Sequence, residues 1–378
     1  MILRIKTMFP KFKKDYSFKL NNSPMFIHYG NGSSIREHGG MQTVIKEMAV
    51  AQAKSGTKSY IVDCITLTKN NKYEVFGSGK IVQVKSIPKN HDGPIIHYFH
   101  FCFTMLKILS YNPLRYMNIN VLQFHGPWSA ESKIQGQGSI KVQLKFFLEK
   151  LIFRVPKIII CASESFKSLL ENTYNVPAKK VYAVKLGVNF QSFQKARTQK
   201  LRRYVQKHFV VGTIRRLEPR MGIDVLLRSM LLETKFNLVI AGAGSQERYL
   251  QDLARSIGIQ ERVKFLGKIS ETEKLNFYSS LDLFVLPSIA LEGFGLVILE
   301  SMASGVPVIA SNLPGILEAL GPFATSNSFE SNSEEALATS IKNFIDGKIE
   351  NDSYLYEEWA AICSWKSVIN NIQNIVAQ

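Results

Sequence analysis

Residues 283–311, LFVLPSIALEGFGLVILESMASGVPVIAS, contain a complete strand–helix–strand unit. The run Leu283–Leu286 is short and apolar and is followed by proline and glycine, which is typical of a buried strand. Leu296–Ala303 has the length and spacing of a helix that ends before Gly305, and Val308–Ala310 is again an apolar strand. A helix that joins two buried strands predicts a parallel sheet with helices packed on its faces.

The same alternation extends over most of the chain and forms two blocks. In the first block the predicted strands are Met25–Tyr29, Ser59–Cys64, Asn120–Phe124, Lys157–Cys161 and Val181–Lys185, and the predicted helices are Met41–Ser55 and Ile140–Phe153. Before residue 283, the second block has predicted strands at Phe209–Thr213, Asn237–Ala241 and Val263–Leu266 and predicted helices at Gly222–Leu232, Gln246–Ser256 and Thr272–Ser279. Two such blocks predict an α/β protein with two doubly wound, Rossmann-like domains that face a central cleft.

The domain boundaries follow from the stretches that lack this alternation. The chain has 378 residues, which corresponds to two domains of ordinary size. Residues 188–208 are polar and basic without an apolar pattern, so we interpret them as the linker. This places the first domain at 25–195, the second at 205–353 and a final segment at 354–378. Residues 1–24 form a basic arm without the apolar core of a secretory signal.

The composition excludes several classes of protein. A hydrophobic content of 46% excludes a largely disordered chain. The most apolar stretches, Pro94–Tyr111 and Leu296–Ala310, carry charged residues, glycine or proline and are too short for membrane spans, which excludes a polytopic membrane protein. The four cysteines are scattered without a Cys-x-x-Cys pair, so neither a metal site nor a redox site is predicted. A reducing cytosol is the expected compartment.

The net charge of +17 is distributed unevenly. Residues 1–200 contain 30 Lys and Arg against 10 Asp and Glu, whereas residues 201–378 contain 17 against 20. A basic first half and a nearly neutral second half indicate that the first half faces an anionic partner. A phospholipid surface, a phosphorylated acceptor and nucleic acid all fit this charge, and a basic solubilising surface is the alternative.

Two carboxylates flank the glycine turn of the 283–311 unit. Glu292 lies in the turn, and Glu300 lies about two turns into the helix that follows. The free N–H groups near Phe294, Gly295 and Leu296, together with the helix dipole, suit a diphosphate. The two glutamates would then accept hydrogen bonds from sugar and ribose hydroxyls on either side. Ordinary solvated carboxylates are the alternative interpretation.

The sequence around this turn resembles a known family. The stretches Tyr278–Ser288 and Ser301–Ser311, with the two glutamates between them, are similar to the retaining, nucleotide-sugar-dependent glycosyltransferases of the GT-B fold, glycosyl transferases group 1, which carry a Glu-x7-Glu motif. The resemblance is dense over 209–320 and thinner over 25–190. It implies transfer of a sugar from a nucleoside diphosphate to an acceptor, with the donor on the second domain, the acceptor on the first and no required metal. The leaving phosphate itself would help to take the acceptor proton.

The resemblance assigns a phosphate-binding role to residues 212–222, GTIRRLEPRMG. Arg216 matches the arginine of the family pattern Gly-Arg-Leu-x-Pro-x-Lys-Gly, and it is expected to stabilise the leaving diphosphate. The lysine of that pattern is replaced by Met221. We expect Arg215 or Arg220 to supply the missing cation from a neighbouring position.

Further donor contacts are implied at glycine-rich loops and at one histidine. Gly39 and Gly40 match a glycine pair that lets the backbone approach the donor phosphates, and Gly242 and Gly244 form a second loop after a predicted strand. His125 matches a histidine that contacts the donor sugar, so that His125, Glu292 and Arg216 are the candidate catalytic residues. The first loop also contains Arg36, Glu37 and His38, which are candidates for contact with donor or acceptor.

The expected function is therefore a retaining, hexosyltransferase-type enzyme of envelope polysaccharide or lipopolysaccharide synthesis. Its partners would be a nucleotide-sugar donor and a saccharide or lipid-linked acceptor, with an anionic membrane surface and no nucleic acid. The expected location is the cytoplasmic face of the cell membrane, to which the chain would bind peripherally. The alternatives are a catalytically silent GT-B subunit, a basic nucleic-acid-binding protein and a sugar-nucleotide epimerase. The resemblance also implies that 354–378 form a closing helix that crosses back onto the first domain. Trp365 is expected to pack at that hinge and not to touch the ligand.

Overall fold

Two mainly parallel β-sheets, one in each half of the chain, organise the computed structural model. It describes residues 23–30, 39–62, 72–75, 80–84, 91–111, 119–198, 209–349 and 352–378. The candidates Arg36, Glu37 and His38 lie outside these residues, as do most of the N-terminal arm and residues 199–208. No helix within the described ranges is long and apolar enough to cross a bilayer.

The first domain is built on eight strands. They are β1 (Met25–Tyr29), β2 (Lys58–Val62), β3 (Lys72–Val75), β4 (Ile81–Val84), β5 (Ile95–Phe99), β6 (Ile119–Phe124), β7 (Ile158–Cys161) and β8 (Val181–Ala183). The helices of this half are α1 (Gly40–Lys54), α2 (Cys102–Tyr111), α3 (Trp128–Ile134), α4 (Ser139–Ile152), α5 (Glu164–Asn172) and α6 (Phe190–Thr198). The strand order is β4-β3-β2-β1-β5-β6-β7-β8, and β3 is antiparallel to both of its neighbours.

The second domain is built on six strands whose pairings are all parallel. They are β9 (Phe209–Ile214), β10 (Phe236–Ala241), β11 (Val263–Gly267), β12 (Leu283–Leu286), β13 (Val308–Ser311) and β14 (Ser328–Phe329), in the order β11-β10-β9-β12-β13-β14. The helices are α7 (Ile223–Leu232), α8 (Glu247–Ser256), α9 (Glu271–Ser279), α10 (Leu296–Ala303), α11 (Pro314–Leu320), α12 (Glu334–Ile345), α13 (Ser353–Ile362) and α14 (Trp365–Ala377). Apolar side chains of the strands form a core on each face of this sheet.

The structure confirms the predicted α/β class with two Rossmann-like domains, and it corrects some of the predicted elements. The strands β3, β4 and β5 were not predicted from the sequence. The antiparallel edge of the first sheet, which β3 and β4 form, was therefore not predicted either. The interpretation of 188–208 as a linker is wrong over Phe190–Thr198, which form α6. Phe193 of this helix is buried against Tyr278 in the core of the second domain. This contact could not be predicted from the mostly polar sequence of the segment.

The chain crosses between the domains at two adjacent points. The backbone N–H of Val188 donates to the Cys363 carbonyl at 2.8 Å, and Val188 also forms a parallel bridge with Ser364. Before the second crossing α13 packs on α10 of the second domain, whereas after it α14 packs on α1 of the first. Trp365 is buried at the start of α14 in the core of the first domain. The two crossings form a double-stranded hinge beside the cleft.

Candidate functional site

The turn between β12 and α10 lies at the carboxyl edge of the second sheet. Gly295 precedes the first residue of α10 with φ 83°, a left-handed conformation that glycine adopts without strain, and Leu291 also has a positive φ of 53°. A Cβ added to Gly293 would lie 2.3 Å from the ring of Phe166, which belongs to α5 of the first domain. The turn therefore presents Glu292 and the N-terminus of α10 towards the opposite domain.

The same aromatic ring brings the loop of His125 to this turn. A Cβ added to Gly126, the residue after His125, would lie 3.9 Å from the ring of Phe166. Phe166 thus touches the loops that carry two of the predicted site residues, Glu292 and His125. Close by, the carboxylate of Glu318 accepts hydrogen bonds from two backbone N–H groups at the start of α5, a second contact between the domains.

Arg215 forms the central ion pair of the site. Its Nη2 atom lies 2.8 Å from Oε2 of Glu292, and the two side chains are only 6% and 19% exposed. Ser288 donates a hydrogen bond of 3.2 Å to the same carboxylate oxygen. Burial lowers the pKa of Arg215 from its ordinary value, and the carboxylate of Glu292 opposes that shift. The guanidinium keeps its charge because even a lowered arginine pKa remains far above neutrality.

Two further nitrogen atoms of Arg215 are buried without a hydrogen-bond partner. They are Nε and Nη1, and no described residue provides an acceptor for either of them. Met221, which occupies the position of the family lysine, is buried with its Sδ atom 2.6 Å from Nη2 of Arg215. A buried cationic group with two unsatisfied donors is costly, and an anion with several oxygens would satisfy both.

The structure separates Arg215 from its neighbours Arg216 and Arg220. Arg216 is exposed and lines a small crevice together with Arg220 and Glu131. Arg220 donates to Oε1 of Glu131, in α3 of the first domain, at 2.8 Å and to the carbonyl of Leu291 at 3.2 Å. Of the three arginines, the structure places Arg215 at Glu292 and Arg220 in an ion pair that joins the two domains.

Glu300, in contrast to Glu292, is surrounded by donors. Its side chain is 5% exposed, and it accepts hydrogen bonds from Lys274 Nζ at 2.7 Å and from the Tyr278 hydroxyl at 2.9 Å. Lys274 also contacts Glu271 at 2.8 Å. Burial works against the charge on Lys274, but the carboxylates of Glu300 and Glu271 outweigh it and raise its pKa. Sequence analysis assigned no role to Lys274 or Tyr278, although both lie on α9 with the i, i+4 spacing of one helix face.

Glu300 and Leu296 border a cavity of about 250 Å³ between the two domains. The other residues that line it come from α1, from the crossing before α6, from α6 itself, from α9 and from the start of α14: Thr43, Glu47, Gly187, Val188, Asn189, Ser192, Phe193, Glu271, Thr272, Lys274, Leu275 and Trp365. Trp365 therefore packs at the hinge and also borders this cavity. Among the residues that the structure describes, no three His, Cys, Asp or Glu side chains meet in a group that could hold a metal ion.

The predicted glycines have different structural roles. Gly39 caps α1, and Gly40, its first residue, has open space where a Cβ would lie. Gly242 and Gly244 instead pack against the backbone of the Arg215 loop, because added Cβ atoms would lie 1.8 Å and 2.3 Å from the carbonyl oxygens of Arg215 and Leu217. Gly242 and Gly244 therefore hold Arg215 in place. Phe294 is buried in the core beneath the turn.

A chain of histidines leads from the core of the first domain to His125. His28 Nε2 lies 2.7 Å from Gln52 Oε1, His28 Nδ1 lies 3.0 Å from His100 Nε2, and His100 Nδ1 lies 3.3 Å from His125 Nε2. Burial lowers the pKa of His28 to about 4 and that of His100 well below its usual value, so both rings are neutral near pH 7.

The hydrogen-bond direction along this chain follows from the amide oxygen of Gln52. His28 Nε2–H donates to that oxygen, so His28 Nδ1 accepts from His100 and His100 Nδ1 accepts from His125. His125, which is exposed, then carries its proton on Nε2 and presents Nδ1 as an acceptor. His28 and His100 were not predicted as site residues. His28 lies in β1 and His100 directly follows β5; β5 pairs in parallel with both β1 and β6, which places the ends of the three strands side by side.

Known proteins resemble the chain in sequence and in fold. The chain is 33% identical over 170 residues to an uncharacterized glycosyltransferase of Methanocaldococcus jannaschii, which covers 42% of this chain and 43% of that protein. It is 38% identical over 109 residues to the O-antigen biosynthesis glycosyltransferase WclY of Escherichia coli, which covers 29% of this chain and 30% of WclY. The matches thus span less than half of the length of these two relatives.

The fold resemblance extends over nearly the whole chain. HepE of Anabaena, solved in complex with UDP-glucose, superposes with a TM-score of 0.68 over 93% of this chain and 99% of that structure, at 17% identity. The chain therefore has the GT-B fold. The sequence pattern that defines glycosyl transferases group 1 matches residues 195–358, which contain β9 to β14 and every contact of Glu292 and Glu300 described above. By this match, the second domain belongs to the glycosyl transferases group 1 family.

Proposed function

We propose that the protein is a retaining glycosyltransferase that moves a hexosyl group from a nucleoside-diphosphate sugar to an acceptor. The observation that carries this proposal is the buried guanidinium of Arg215, whose Nε and Nη1 lack partners beside Glu292. The turn before α10 adds free backbone N–H groups and the positive end of a helix dipole. A diphosphate group between Arg215 and the N-terminus of α10 would satisfy both sets of donors.

The two glutamates would hold the two ends of the donor. Glu300 already accepts hydrogen bonds from Lys274 and Tyr278, which fix the orientation of its carboxylate. In this proposal the remaining lone pairs of Glu300 accept from the ribose hydroxyls. Glu292, which is more exposed, accepts from the hydroxyls of the sugar ring and stabilises positive charge that develops on it. The UDP-glucose complex of HepE supports a nucleotide sugar as the donor class.

The leaving diphosphate needs compensation for its negative charge. We assign this role to Arg215 and the helix N-terminus, with Arg220 and Arg216 as further cations when the cleft closes, and we propose no required metal. Gly39 and Gly40 at the start of α1 would approach the phosphates from the first domain, and His125 would accept a hydrogen bond from the donor sugar through Nδ1. No protein residue is assigned as general base, since the leaving phosphate takes the acceptor proton in this mechanism.

The proposed acceptor is a saccharide or lipid-linked saccharide of the cell envelope at the cytoplasmic face of the membrane. The role of WclY in O-antigen biosynthesis supports envelope polysaccharide as the class of product. The basic first half of the chain supports an acceptor on an anionic surface, to which the protein would bind peripherally. The domains would close on the donor around the double hinge, which excludes water from the reacting groups.

Thermal unfolding with a panel of UDP-, GDP- and ADP-sugars tests the donor site. A ligand present at about 100 times its dissociation constant stabilises the folded state by about 2.7 kcal/mol, which gives a clear increase in Tm. We expect an increase with one nucleotide class and none with a short duplex DNA. For the donor that binds, NMR of the product with a membrane extract as acceptor source is expected to show the anomeric configuration of the donor.

The observation that favours a second function, a silent GT-B subunit, is Met221 in place of the family lysine. Because the lysine is absent, the positive charge of Arg215 is balanced by the negative charge of Glu292 when no donor is bound. If no nucleotide sugar changes the Tm of the natural protein but one does so in a Met221→Lys variant, the silent-subunit function replaces the enzyme. An increase in Tm with the natural protein, followed by transfer, contradicts the silent subunit.

A further inference from the structure

Helix α4 in the first domain has an apolar stripe on its outer side. Ile140, Leu144 and Phe147, which have the i, i+4, i+7 spacing of one helix face, are 84%, 56% and 49% exposed. The single acidic residue of the helix, Glu149, is buried on the other side. The inner side of the helix is apolar as well, since Ile152 is buried and Phe146 and Leu148 pack against the core of the first domain. An amphipathic helix usually presents polar groups to the outside, so the exposed apolar stripe is additional to what the fold requires.

The buried carboxylate of Glu149 explains how the helix is fixed in this orientation. It accepts hydrogen bonds from the backbone N–H groups of Trp128 and Ser129 at 2.6 Å and 3.2 Å, and from the hydroxyls of Ser129 and Tyr174. These contacts satisfy the free N–H groups at the start of α3. Since they would all be lost if α4 rotated, the exposed stripe is a stable feature of this domain.

Basic side chains border the exposed stripe. Lys141 follows Ile140 on one side, and Lys150 and Arg154 lie on the other side at helical spacing. With Glu149 turned inward, the outer face of α4 carries apolar and cationic groups but no acidic group. An apolar stripe bordered by lysines is the pattern of helices that lie in the plane of an anionic membrane surface.

The helix is also connected to the site. Lys145 of α4 lies over the ring of Trp128 at 4.0 Å and donates hydrogen bonds to Ser132 and Gln137, and Trp128 begins α3 three residues after His125. Together with Glu149, this contact fixes α3 and the His125 loop relative to α4. A surface that contacts the outer face of α4 therefore has a defined position relative to the cleft.

We infer that the outer face of α4 is a membrane-docking surface, with Ile140, Leu144 and Phe147 inserted between the headgroups of anionic lipids. The inference deepens the proposed function, on which it rests for the presence of an acceptor at the membrane. Charge complementarity selects this partner, because the stripe is bordered by Lys141, Lys150 and Arg154. A lipid-linked acceptor would then be presented to the cleft from a fixed side.

Co-sedimentation with vesicles tests the inference. The probes are vesicles of phosphatidylcholine and phosphatidylglycerol in equal parts, with pure phosphatidylcholine for comparison, and the full chain is used. We expect a variant with Ile140→Ser, Leu144→Ser and Phe147→Ser to lose at least about tenfold in partitioning to the mixed vesicles. Lys141→Gln and Lys150→Gln are expected to lose about fivefold each, with a weaker salt dependence.

The matched control carries the same number of substitutions at exposed apolar side chains elsewhere: Leu231→Ser, Leu232→Ser and Ile362→Ser. We expect this variant to partition like the natural chain. Equal partitioning of the α4 variant and the natural chain would overturn the inference. So would a dimer in sedimentation velocity that only the α4 variant loses, because the stripe would then cover a second copy of the chain.

Nucleotide-sugar binding separates this inference from the proposed function. We expect the α4 variant to show the same increase in Tm with the donor as the natural chain, since none of the three residues lines the donor site. If the vesicle results are as expected but no donor binds the natural chain, the membrane surface is upheld and the proposed activity is rejected. If a donor binds but the α4 variant partitions normally, the membrane surface is rejected and the activity stands.

Discussion

Glu292 lies in the turn before α10 and Glu300 lies within α10. The two carboxylates differ in how far the groups around them are already paired by hydrogen bonds. Glu300 is held by Lys274 and Tyr278, so this end of the site is already assembled. At the other end, Glu292 pairs with one nitrogen of Arg215 while two further nitrogens of Arg215 remain buried without partners. Polar groups that are fully paired without a ligand stabilise the fold, and buried groups with unsatisfied donors indicate where a ligand belongs. We therefore interpret the group around Glu300 mainly as a positioning element and Arg215 beside Glu292 as the place where an anion binds.

We expect the largest effect when the carboxylate of Glu300, which is paired with Lys274 and Tyr278, is removed. Glu300→Ala leaves the buried ammonium of Lys274 with only Glu271, and loss of one partner of a buried pair costs about 3–5 kcal/mol. We expect a decrease of that order in the free energy of unfolding, measured with urea. The double variant Glu300→Leu with Lys274→Met is expected to regain part of this loss, because it buries no unpaired charge. If Glu300→Ala is as stable as the natural chain, the contacts of Glu300 with Lys274 and Tyr278 do not stabilise the fold.

The next largest effect concerns the end with unsatisfied donors. Arg215→Met is expected to lower kcat/KM for sugar transfer about a hundredfold, because one preorganised donor to the leaving group is removed. Arg216→Met is the comparison variant, because this side chain is exposed and lines a crevice that does not include Glu292. We expect a smaller decrease, of less than about tenfold. The reverse ranking of the two variants would move the anion site from Arg215 to Arg216.

The smallest expected effect concerns the linked histidines His28, His100 and His125. This series is hydrogen-bonded to Gln52 at its buried end and is exposed at His125. The pKa of His28 is about 4 in the folded chain, against 6.5 for an ordinary histidine. The unfolded chain therefore binds a proton first as the pH falls, so stability is lost between about pH 6.5 and pH 4. At pH 5 we expect a loss of about 1–2 kcal/mol relative to pH 7.

Unfolding in urea across this pH range measures the effect. His28→Asn is expected to reduce the pH dependence and to leave the part that His100 contributes. The control variant is His91→Asn, because His91 is not one of the linked histidines and its ring contacts the carbonyl of Ser23. An equal slope in the natural chain and the His28 variant would show that His28 is not the buried neutral group. A slope of the opposite sign would mean that His28 is charged in the folded protein.

Local patterns in the sequence were sufficient to predict most of the fold. The strand–helix–strand unit at 283–311 and its repetitions are encoded in short apolar runs and glycines, and they fix the parallel sheets. The short strands β3 and β4 escaped prediction because each has only four residues, of mixed polarity, at the edge of a sheet. Helix α6 escaped prediction because its sequence is mostly polar, although Phe193 is buried and Phe190 packs against the same core.

The site was less predictable, because its contacts are not local. The spacing of Glu292 and Glu300 is visible in the sequence, whereas the position of Arg215 depends on a strand end where successive side chains point in opposite directions. A pattern match therefore selected Arg216, although the structure places its neighbour at Glu292. The donors around Glu300, the histidine chain and the inward orientation of Glu149 all join residues that are distant in sequence. No periodicity within one segment reports such contacts.

The side-by-side crossings at Val188 and Cys363 also determine when the first domain is completed during synthesis. Its core includes Trp365, Ile369 and Ile372 of α14, which pack with Phe26 and other residues near the start of the described chain. On this face of the first sheet, α1 contributes Val44 and Met48, but the core is completed only after residues 365–377 have left the ribosome, when the entire second domain has been made. The domain that is translated first is thus completed last. A truncation or fusion that disturbs α14 is expected to unfold the first domain while leaving the second domain intact.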